Sequence, residues 1–330
     1  MKVSEICSLI VDCVNKTAPT EDKETPFKMI RTPNIKRGLI NLHGCRSVSR
    51  EVYEQWSRRA KVQKGDVLLT REAPAGEVGL VDFQDTVFLG QRIMQFRPNP
   101  EKLDSRYLLY SFLSPDMRAQ FRAHDNTGSI VSHIKVPDCH NFEVSLPSLL
   151  NQKKIAKVLG DLDKKIAINN RINTELEAMA KLIYDYWFVQ FDFPDENGKP
   201  YKSSGGKMVY NEDLKREIPK GWTNTPLSKI APVSNSSVNP ADYPNKNFRL
   251  FSIPVYDATN TFGIEAGETI GSNKFLVKEE DILVSKLNPK FTRVIFATDE
   301  EGLICSTEFV VWRTPNNGIK TFLYMLAISP

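Results

Sequence analysis

The sequence predicts an α+β chain in which two similar domains are joined by a long helix of coiled-coil type. One observation is a set of sequence blocks that recurs in order at nearly constant spacing. Another is the proline-free run from Leu149 to Phe191, whose apolar side chains fall at heptad intervals. The last is that the second copy of the blocks stops at Pro330, partway through the pattern of the first. The expectation is an incomplete second domain and a missing second helix.

Residues 61–71 read KVQKGDVLLTR and residues 276–286 read LVKEEDILVSK. Each is a polar turn, an acidic residue (Asp66, Asp281), a leucine-rich and β-branched strand, then a hydroxyl and a cation (Thr70-Arg71, Ser285-Lys286). The offset of 215 from Asp66 to Asp281 also takes Pro74 to Pro289. GEVGLVDF then aligns with FTRVIFAT, and one inserted residue later LGQRIMQFRP aligns with CSTEFVVWRT. Upstream, FKMIRTP (27–33) aligns with FRLFSIP (248–254) at an offset of 221; downstream, YLLYSFLSP (107–115) resembles FLYMLAISP (322–330) at 215. One such match is within chance, but several in the same order signal a duplication. Strand-like runs (VLLT, EVGLVDF, RIMQFRP) among helical stretches such as 104–124 give each copy α+β character. The expected divisions are a first domain over 1–147, a central helix over 148–192, a linker over 193–222 and a partial second domain over 223–330.

The central run places apolar residues at Ile155, Leu159, Leu162, Ile166, Leu176, Ala180, Ile183 and Trp187, in alternating steps of four and three, with Asn169 and Asn173 filling the two gaps. Polar residues in such a seam fix register and partner. Some forty residues at about 1.5 Å each make a rod of roughly 60 Å, too long to bury in one small domain. The helix either packs on its own domain or pairs with a second of its kind as a spacer, and the duplication favours pairing. It ends in six aromatics within ten residues, Tyr184 to Phe193. These read as core beneath the domains, as anchors for a protein partner, or as a stacking platform for single-stranded nucleic acid; the absence of interleaved basic residues disfavours the last. The expected partner-binding set is Leu159, Leu162, Ile166, Leu176, Ile183, Trp187, Phe188 and Phe191. The Gly-, Ser-, Pro- and charge-rich stretch that follows reads as a linker closing on the turn Pro219-Lys220-Gly221.

With 41% hydrophobic and 25% charged residues the composition is that of a globular protein. The net charge of +4 permits nucleic-acid binding without arguing for it, since a local basic face matters more than the total. Five scattered cysteines, never in a C-x-x-C pair, point away from a disulfide framework or a zinc site. Asp12 and polar residues interrupt any signal-peptide pattern at the start, and no apolar run reaches the length of a membrane span; a cytoplasmic protein is expected. Catalytic patterns fail as well. No Asn/Asp-Pro-Pro-aromatic motif is present, Tyr201 stands where a phosphate loop ending in Gly206-Lys207 needs its first glycine, and no H-E-x-x-H occurs. Pro-Asp at 115–116, 137–138 and 194–195 lacks the acidic-x-Lys partner of a nuclease core. The expectation is no catalytic residue and no metal.

The block from Thr127-Gly128-Ser129 through Ile134-Lys135, Leu146-Pro147, Gln152, Ile155 and Ala156 to the aromatic helix end resembles the central conserved region of type I restriction-modification DNA specificity subunits, and the stretch GKPYKSSGGKMVYNEDLKREIPKGW does too. The resemblance is strong over roughly 60–222. It implies two target-recognition domains, each reading half of a split site in double-stranded DNA, held apart by two antiparallel conserved helices. It also implies modification (methyltransferase) subunits that dock on this frame, bind S-adenosylmethionine and methylate adenine, and a restriction (translocase/endonuclease) subunit that adds translocation and cleavage. This chain would then hold no cofactor and be no enzyme. The missing second helix departs from the pattern and raises a self-dimer as a substitute.

The expected DNA contacts are groups of residues rather than single members. Arg31, Asn34, Lys36 and Arg37 crowd one seven-residue stretch; such side chains meet phosphates or base edges, although a solvated loop reads the same way. Arg71, Arg92, Thr127, Ser129, His133 and Lys135 follow strand ends or the Thr-Gly-Ser turn, and Lys286, Lys290 and Arg293 are their counterparts in the second copy. Two competing readings are a stand-alone methyltransferase or nuclease with divergent motifs and a coiled-coil scaffold that binds no DNA. Methyl transfer or cleavage by the chain alone would mark the first, and salt-insensitive binding to proteins only the second.

Overall fold

A computed structural model of the chain describes residues 1–123 and 133–329. Thr127 and Ser129 of the expected DNA contacts lie outside the described residues. The chain divides into two compact units, Met1–Asn169 and Asn170–Pro330.

The first unit opens with α1 (Val3–Ile6) and β1 (Cys7–Asp12), then β2 (Phe27–Ile30), β3 (Ile35–Lys36), β4 (Leu39–Ile40), β5 (Arg46–Ser47) and α2 (Arg50–Trp56). Next come β6 (Val67–Thr70), β7 (Val78–Leu80), β8 (Thr86–Leu89) and β9 (Ile93–Pro98), followed by α3 (Ser105–Leu113), α4 (Pro115–Ala123) and α5 (Val136–Cys139). Strands β1-β9-β6-β7 form an antiparallel sheet; β5-β2-β8 form a second, in which β2 and β8 run parallel. All four residues of β6 are buried. Val67 and Leu69 pack into a cluster with Phe96, Leu108 and Phe112, while Leu68 joins Ile30, Ile35, Leu89 and Ile93 on the other face. A strand covered on both faces needs a continuous apolar run, and VLLT supplies it. The expected helical stretch 104–124 is two helices. Asp104 caps α3 by accepting from the Tyr107 amide (3.0 Å), and Pro115 opens α4 where a helix interior would reject it.

The last element to begin in this unit is α6 (Leu149–Tyr184), which continues as a π-helical turn over Asp185–Val189. Its start is clamped by Gln152, 1% exposed. The side-chain oxygen accepts from the Asp104 amide (3.0 Å), and the side-chain nitrogen donates to the carbonyls of Lys102 (3.0 Å) and Pro147 (2.9 Å). One buried amide thereby satisfies the N-terminus of α3 and the loop before α6.

The second unit contains the hairpin β10 (Met208–Asn211) and β11 (Arg216–Pro219), then α7 (Leu227–Ile230), β12 (Ser237–Val238), β13 (Asn247–Phe251) and α8 (Ile253–Thr259). After these come β14 (Gly263–Ala266), β15 (Lys274–Leu276), β16 (Asp281–Ser285), β17 (Val294–Phe296), β18 (Leu303–Cys305), β19 (Phe309–Arg313) and α9 (Asn317–Ile328). The sheets run β12-β15-β18-β13-β14 and β17-β16-β19. Residues 193–222, expected as a linker, are folded. The Phe193 ring stacks on Tyr201 (4.8 Å) and Trp222 (5.2 Å), and the Asp192 carboxylate accepts from the Ser203 amide (2.7 Å) and hydroxyl (2.5 Å).

The duplication is structural. Antiparallel β6–β9 corresponds to β16–β19, and parallel β2–β8, with Ile30 opposite Leu89, to β13–β18, with Phe251 opposite Cys305. Each parallel pair is extended by one equivalent bond, Gly90 amide to Ile30 carbonyl (2.7 Å) and Ser306 amide to Phe251 carbonyl (2.9 Å). At the start of the central strand Asp66 accepts from Arg97 (2.8 and 2.9 Å) and the Gln63 amide (2.7 Å); Asp281 accepts from Arg313 (2.8 and 2.8 Å) and the Lys278 amide (2.8 Å). The inserted residue lies earlier than the sequence alignment puts it. Leu69 faces Val78 and Val284 faces Val294, so the extra residue is in the hairpin loop between those strands and β7 aligns with β17 one residue later.

Candidate nucleic-acid interface

In the first unit four segments meet at one end of the β6–β7–β9 sheet. The turn after β3 is tied to β7 by Gly38, whose amide donates to the Val78 carbonyl (2.8 Å) and whose carbonyl accepts from the Leu80 amide (3.2 Å). The Arg37 amide donates to the Glu77 carboxylate (2.8 Å). The Arg71 amide bonds the Arg92 carbonyl (2.8 Å) at the β8–β9 turn, and the Arg71 carbonyl accepts from the Ile134 amide (3.0 Å). The fold therefore gathers Lys36, Arg37, Arg92, His133 and Lys135. Lys36, Arg37, Arg92 and Lys135 are exposed and His133 is half-buried. The Glu72 carboxylate lies 3.0 Å from the Arg92 side chain and 2.5 Å from His133 Nδ1. That carboxylate holds the Arg92 and His133 side chains side by side.

Two expected contacts are corrected by burial. Asn34 is 8% exposed; its side-chain oxygen accepts from the Arg31 amide (2.9 Å) and its nitrogen donates to the Asn41 carbonyl (3.1 Å), so it builds the turn and is withheld from a base edge. Arg71 is also 8% exposed and donates to the Ile134 carbonyl (3.2 Å), so it anchors the segment that carries Lys135. Arg31 is half-buried at the start of a 3-10 turn over Thr32–Asn34. Glu72 and Glu77 escaped the sequence reading, because a carboxylate whose partners are distant in sequence leaves no local pattern.

Gly79 allows the Arg37 turn to approach. A Cβ there would lie 2.5 Å from an Ile40 side-chain carbon and 3.1 Å from the Leu39 carbonyl oxygen. Gly79→Ala is expected to destabilise the first unit by about 1–3 kcal/mol through this overpacking, measured by urea unfolding; a change under about 0.5 kcal/mol would show that the turn is not held there.

In the second unit the β16–β17 loop carries Lys286, Lys290 and Arg293. Lys286 and Lys290 are exposed, and Lys286 donates to the Thr307 carbonyl (2.9 Å). Arg293 forms a bidentate pair with Asp257 of α8 (2.6 and 2.8 Å). Those hydrogen bonds hold the Asp257 carboxyl below its ordinary range. Ala73 and Asn288, at equivalent places in the two loops, both take left-handed backbone (φ 50 and 56), a conformation that clusters at functional turns.

Helix α6 leaves an apolar stripe open. Leu162, Ile166, Leu176 and Ile183 of the expected partner set are exposed, along with Val158, Ile172 and Met179, and Leu159 is half-buried. Trp187 is 37% exposed in the π turn. Phe188 and Phe191 pack within their own unit: Phe188 is half-buried against Phe322 (4.8 Å) and Tyr184 (5.5 Å), while Phe191 is 4% exposed between Trp222 (5.5 Å) and the Arg216 guanidinium (4.7 Å). Burial pushes the Cys139 and Cys305 thiols up to about 12, so neither is a thiolate at neutral pH. Among the described residues no group of His, Cys, Asp and Glu could hold a metal ion, and no helix is long and apolar enough to cross a membrane.

A duplicated α+β frame joined to a long helix is the fold that this chain shares with known proteins. The type I restriction modification DNA specificity domain family matches residues 1–178, and the chain belongs to that family. It is 30% identical over 197 residues to the type I restriction enzyme MjaIX specificity subunit of Methanocaldococcus jannaschii, which covers 60% of this chain and 42% of that protein. Against the EcoBI specificity subunit of Escherichia coli it is 25% identical over 171 residues, covering 52% of this chain and 36% of that protein. These matches span less than half the length of either relative. Among solved structures, the type I restriction-modification S subunit from M. genitalium shares the fold, with a TM-score of 0.54 at 14% identity over 99% of this chain and 75% of that chain.

Proposed function

We propose that this chain is the non-catalytic DNA-reading subunit of a type I restriction-modification complex and works in the cytoplasm. Each unit presents its loops to one half of a split duplex site. The modification subunits, which bind S-adenosylmethionine and methylate adenine, dock on the α6 stripe, and a restriction subunit joins them. The observation that carries this reading is the assembly of Lys36, Arg37, Arg92, His133 and Lys135 at one end of a sheet frame that the second unit repeats. The same stripe, with Leu162, Ile166 and Leu176 exposed, also suits a second copy of the chain.

The test is co-purification with the modification subunit of the same system, followed by adenine methylation of a random-sequence duplex library. A split, asymmetric motif supports two different readers on one chain. A split palindrome shows two copies each contributing one unit, and methylation without sequence preference defeats the proposal. Lys36→Ala with Arg37→Ala is expected to weaken binding uniformly across sequences and to make the slope of log affinity against log salt shallower by about 2. An unchanged slope in a salt titration would remove these residues from the interface.

A further inference from the structure

The second unit has a depression of about 590 Å³ beside its β16–β17 loop, bounded by Tyr256, Asp257, Asn260, Lys290, Phe291 and Arg293. Its chemistry differs from the charged cluster of the first unit. The bond from the Lys286 amide to the Glu308 carbonyl (2.8 Å) is the equivalent of that from Arg71 to Arg92, so Glu308 stands where the first unit has Arg92. By the same alignment Leu287 stands in place of Glu72. Leu287 is 48% exposed and Phe291 is 55% exposed. The Phe291 ring lies 5.1 Å from the Arg293 guanidinium, which Asp257 fixes through two hydrogen bonds, so the ring is presented in a set position.

Asn260 ends α8 in left-handed backbone (φ 55), and its exposed carboxamide makes no hydrogen bond among the described residues. Helix α8 begins at Ile253, the counterpart of Thr32 where the 3-10 turn of the first unit begins. Asn260 thus occupies the region that in the first unit carries Lys36 and Arg37.

An exposed ring and a free carboxamide beside the exposed cation Lys290 match a duplex. Lysines meet phosphates, a carboxamide pairs with the N6 and N7 edge of adenine, and an apolar side chain packs on the thymine methyl. We propose that this depression is the base-reading site of the second unit, with Asn260 and Phe291 as its specificity-determining side chains on A·T pairs. The inference rests on the DNA-reading function proposed above.

The full chain, as wild type, Asn260→Ala, Phe291→Ala and Lys290→Ala, is used to select from random-sequence duplexes at several salt concentrations. Asn260→Ala and Phe291→Ala are expected to relax one or two adjacent A·T positions in one half of the motif only. Each is expected to lose about 10–100-fold on the best wild-type duplex at unchanged salt slope. Phe291→Leu keeps the apolar contact and keeps the preference. Lys290→Ala loses the same factor on all sequences and makes the slope shallower by about 1. An Asn260→Ala or Phe291→Ala chain that selects the wild-type motif, or that weakens on all duplexes alike, overturns the site and leaves the function standing. A wild-type chain that selects no motif overturns both. The substituted side chains are exposed, so thermal unfolding of each variant is expected to match the wild type.

Discussion

Asp281→Ala is expected to destabilise the second unit by about 3 kcal/mol while leaving the first unit unaffected. The carboxylate is fully buried and accepts from Nε and Nη2 of Arg313 and from the Lys278 amide. Deleting one partner of a buried ion pair costs about 3–5 kcal/mol, because the other is left uncompensated. Arg313 retains 27% exposure and can recover part of its hydration, which places the effect at the lower end. Against a typical domain stability of about 5–15 kcal/mol the loss is large. Urea unfolding followed through Trp312, which sits opposite Ile282 in the same strand pair, reads the second unit. Trp56 in α2 reads the first. Asp66→Ala is the mirror experiment, since Asp66 holds Arg97 and Gln95 in the equivalent place. A shift common to both tryptophans, or one below about 1 kcal/mol, would show that the pair does not anchor its own unit.

The second large effect concerns association. Leu162→Glu with Leu176→Glu is expected to abolish capture of the modification subunit while leaving the fold intact. The two side chains are 53% and 57% exposed in the free chain, so their replacement should move stability by no more than about 0.5 kcal/mol. Burying each leucine in an interface contributes about 1.5–3 kcal/mol, so losing both weakens binding by roughly 10²–10⁴-fold. Titration calorimetry against the purified modification subunit measures it. Retained affinity within about threefold would place docking elsewhere. Phe191→Ala gives the contrast: that ring is buried against Trp222 and Arg216, so its truncation is expected to unfold the surrounding structure before it affects binding.

The parts of this molecule that were legible in its sequence are those set by local pattern. The heptad spacing from Ile155 to Ile183 and the lack of proline fixed α6, and the repeated acidic residue before an apolar strand exposed the duplication. The identity of the inserted residue was not legible, because apolar alternation registers strands and is silent about which side of a loop carries the extra residue. Residues 193–222 looked like a linker by composition, yet three aromatics far apart in sequence, Phe193, Tyr201 and Trp222, stack and order them. Of the expected DNA contacts, the exposed lysines and arginines stood out as cations, whereas the burial of Asn34 and Arg71 depends on neighbours distant in sequence. Lys320 shows the same limit in reverse. It reads as a surface residue of α9, but it is fully buried, donating to the Ala297 carbonyl (2.6 Å) and to the Glu279 carbonyl, with its ammonium over the Phe296 ring.

The carboxylate–guanidinium pair sits at the start of each central strand, whereas the loop that carries the candidate contacts leaves from the strand's far end. The pair and the loop are thus separated by four residues, Val67 to Thr70, all buried, in one unit and Ile282 to Ser285, buried or half-buried, in the other. Under the proposed function, substitutions in the loops would alter recognition without loosening the frame, since the anchoring bonds lie at the other end of the strand. The strand would then work as an insulator between the residues that set the target and those that hold the fold.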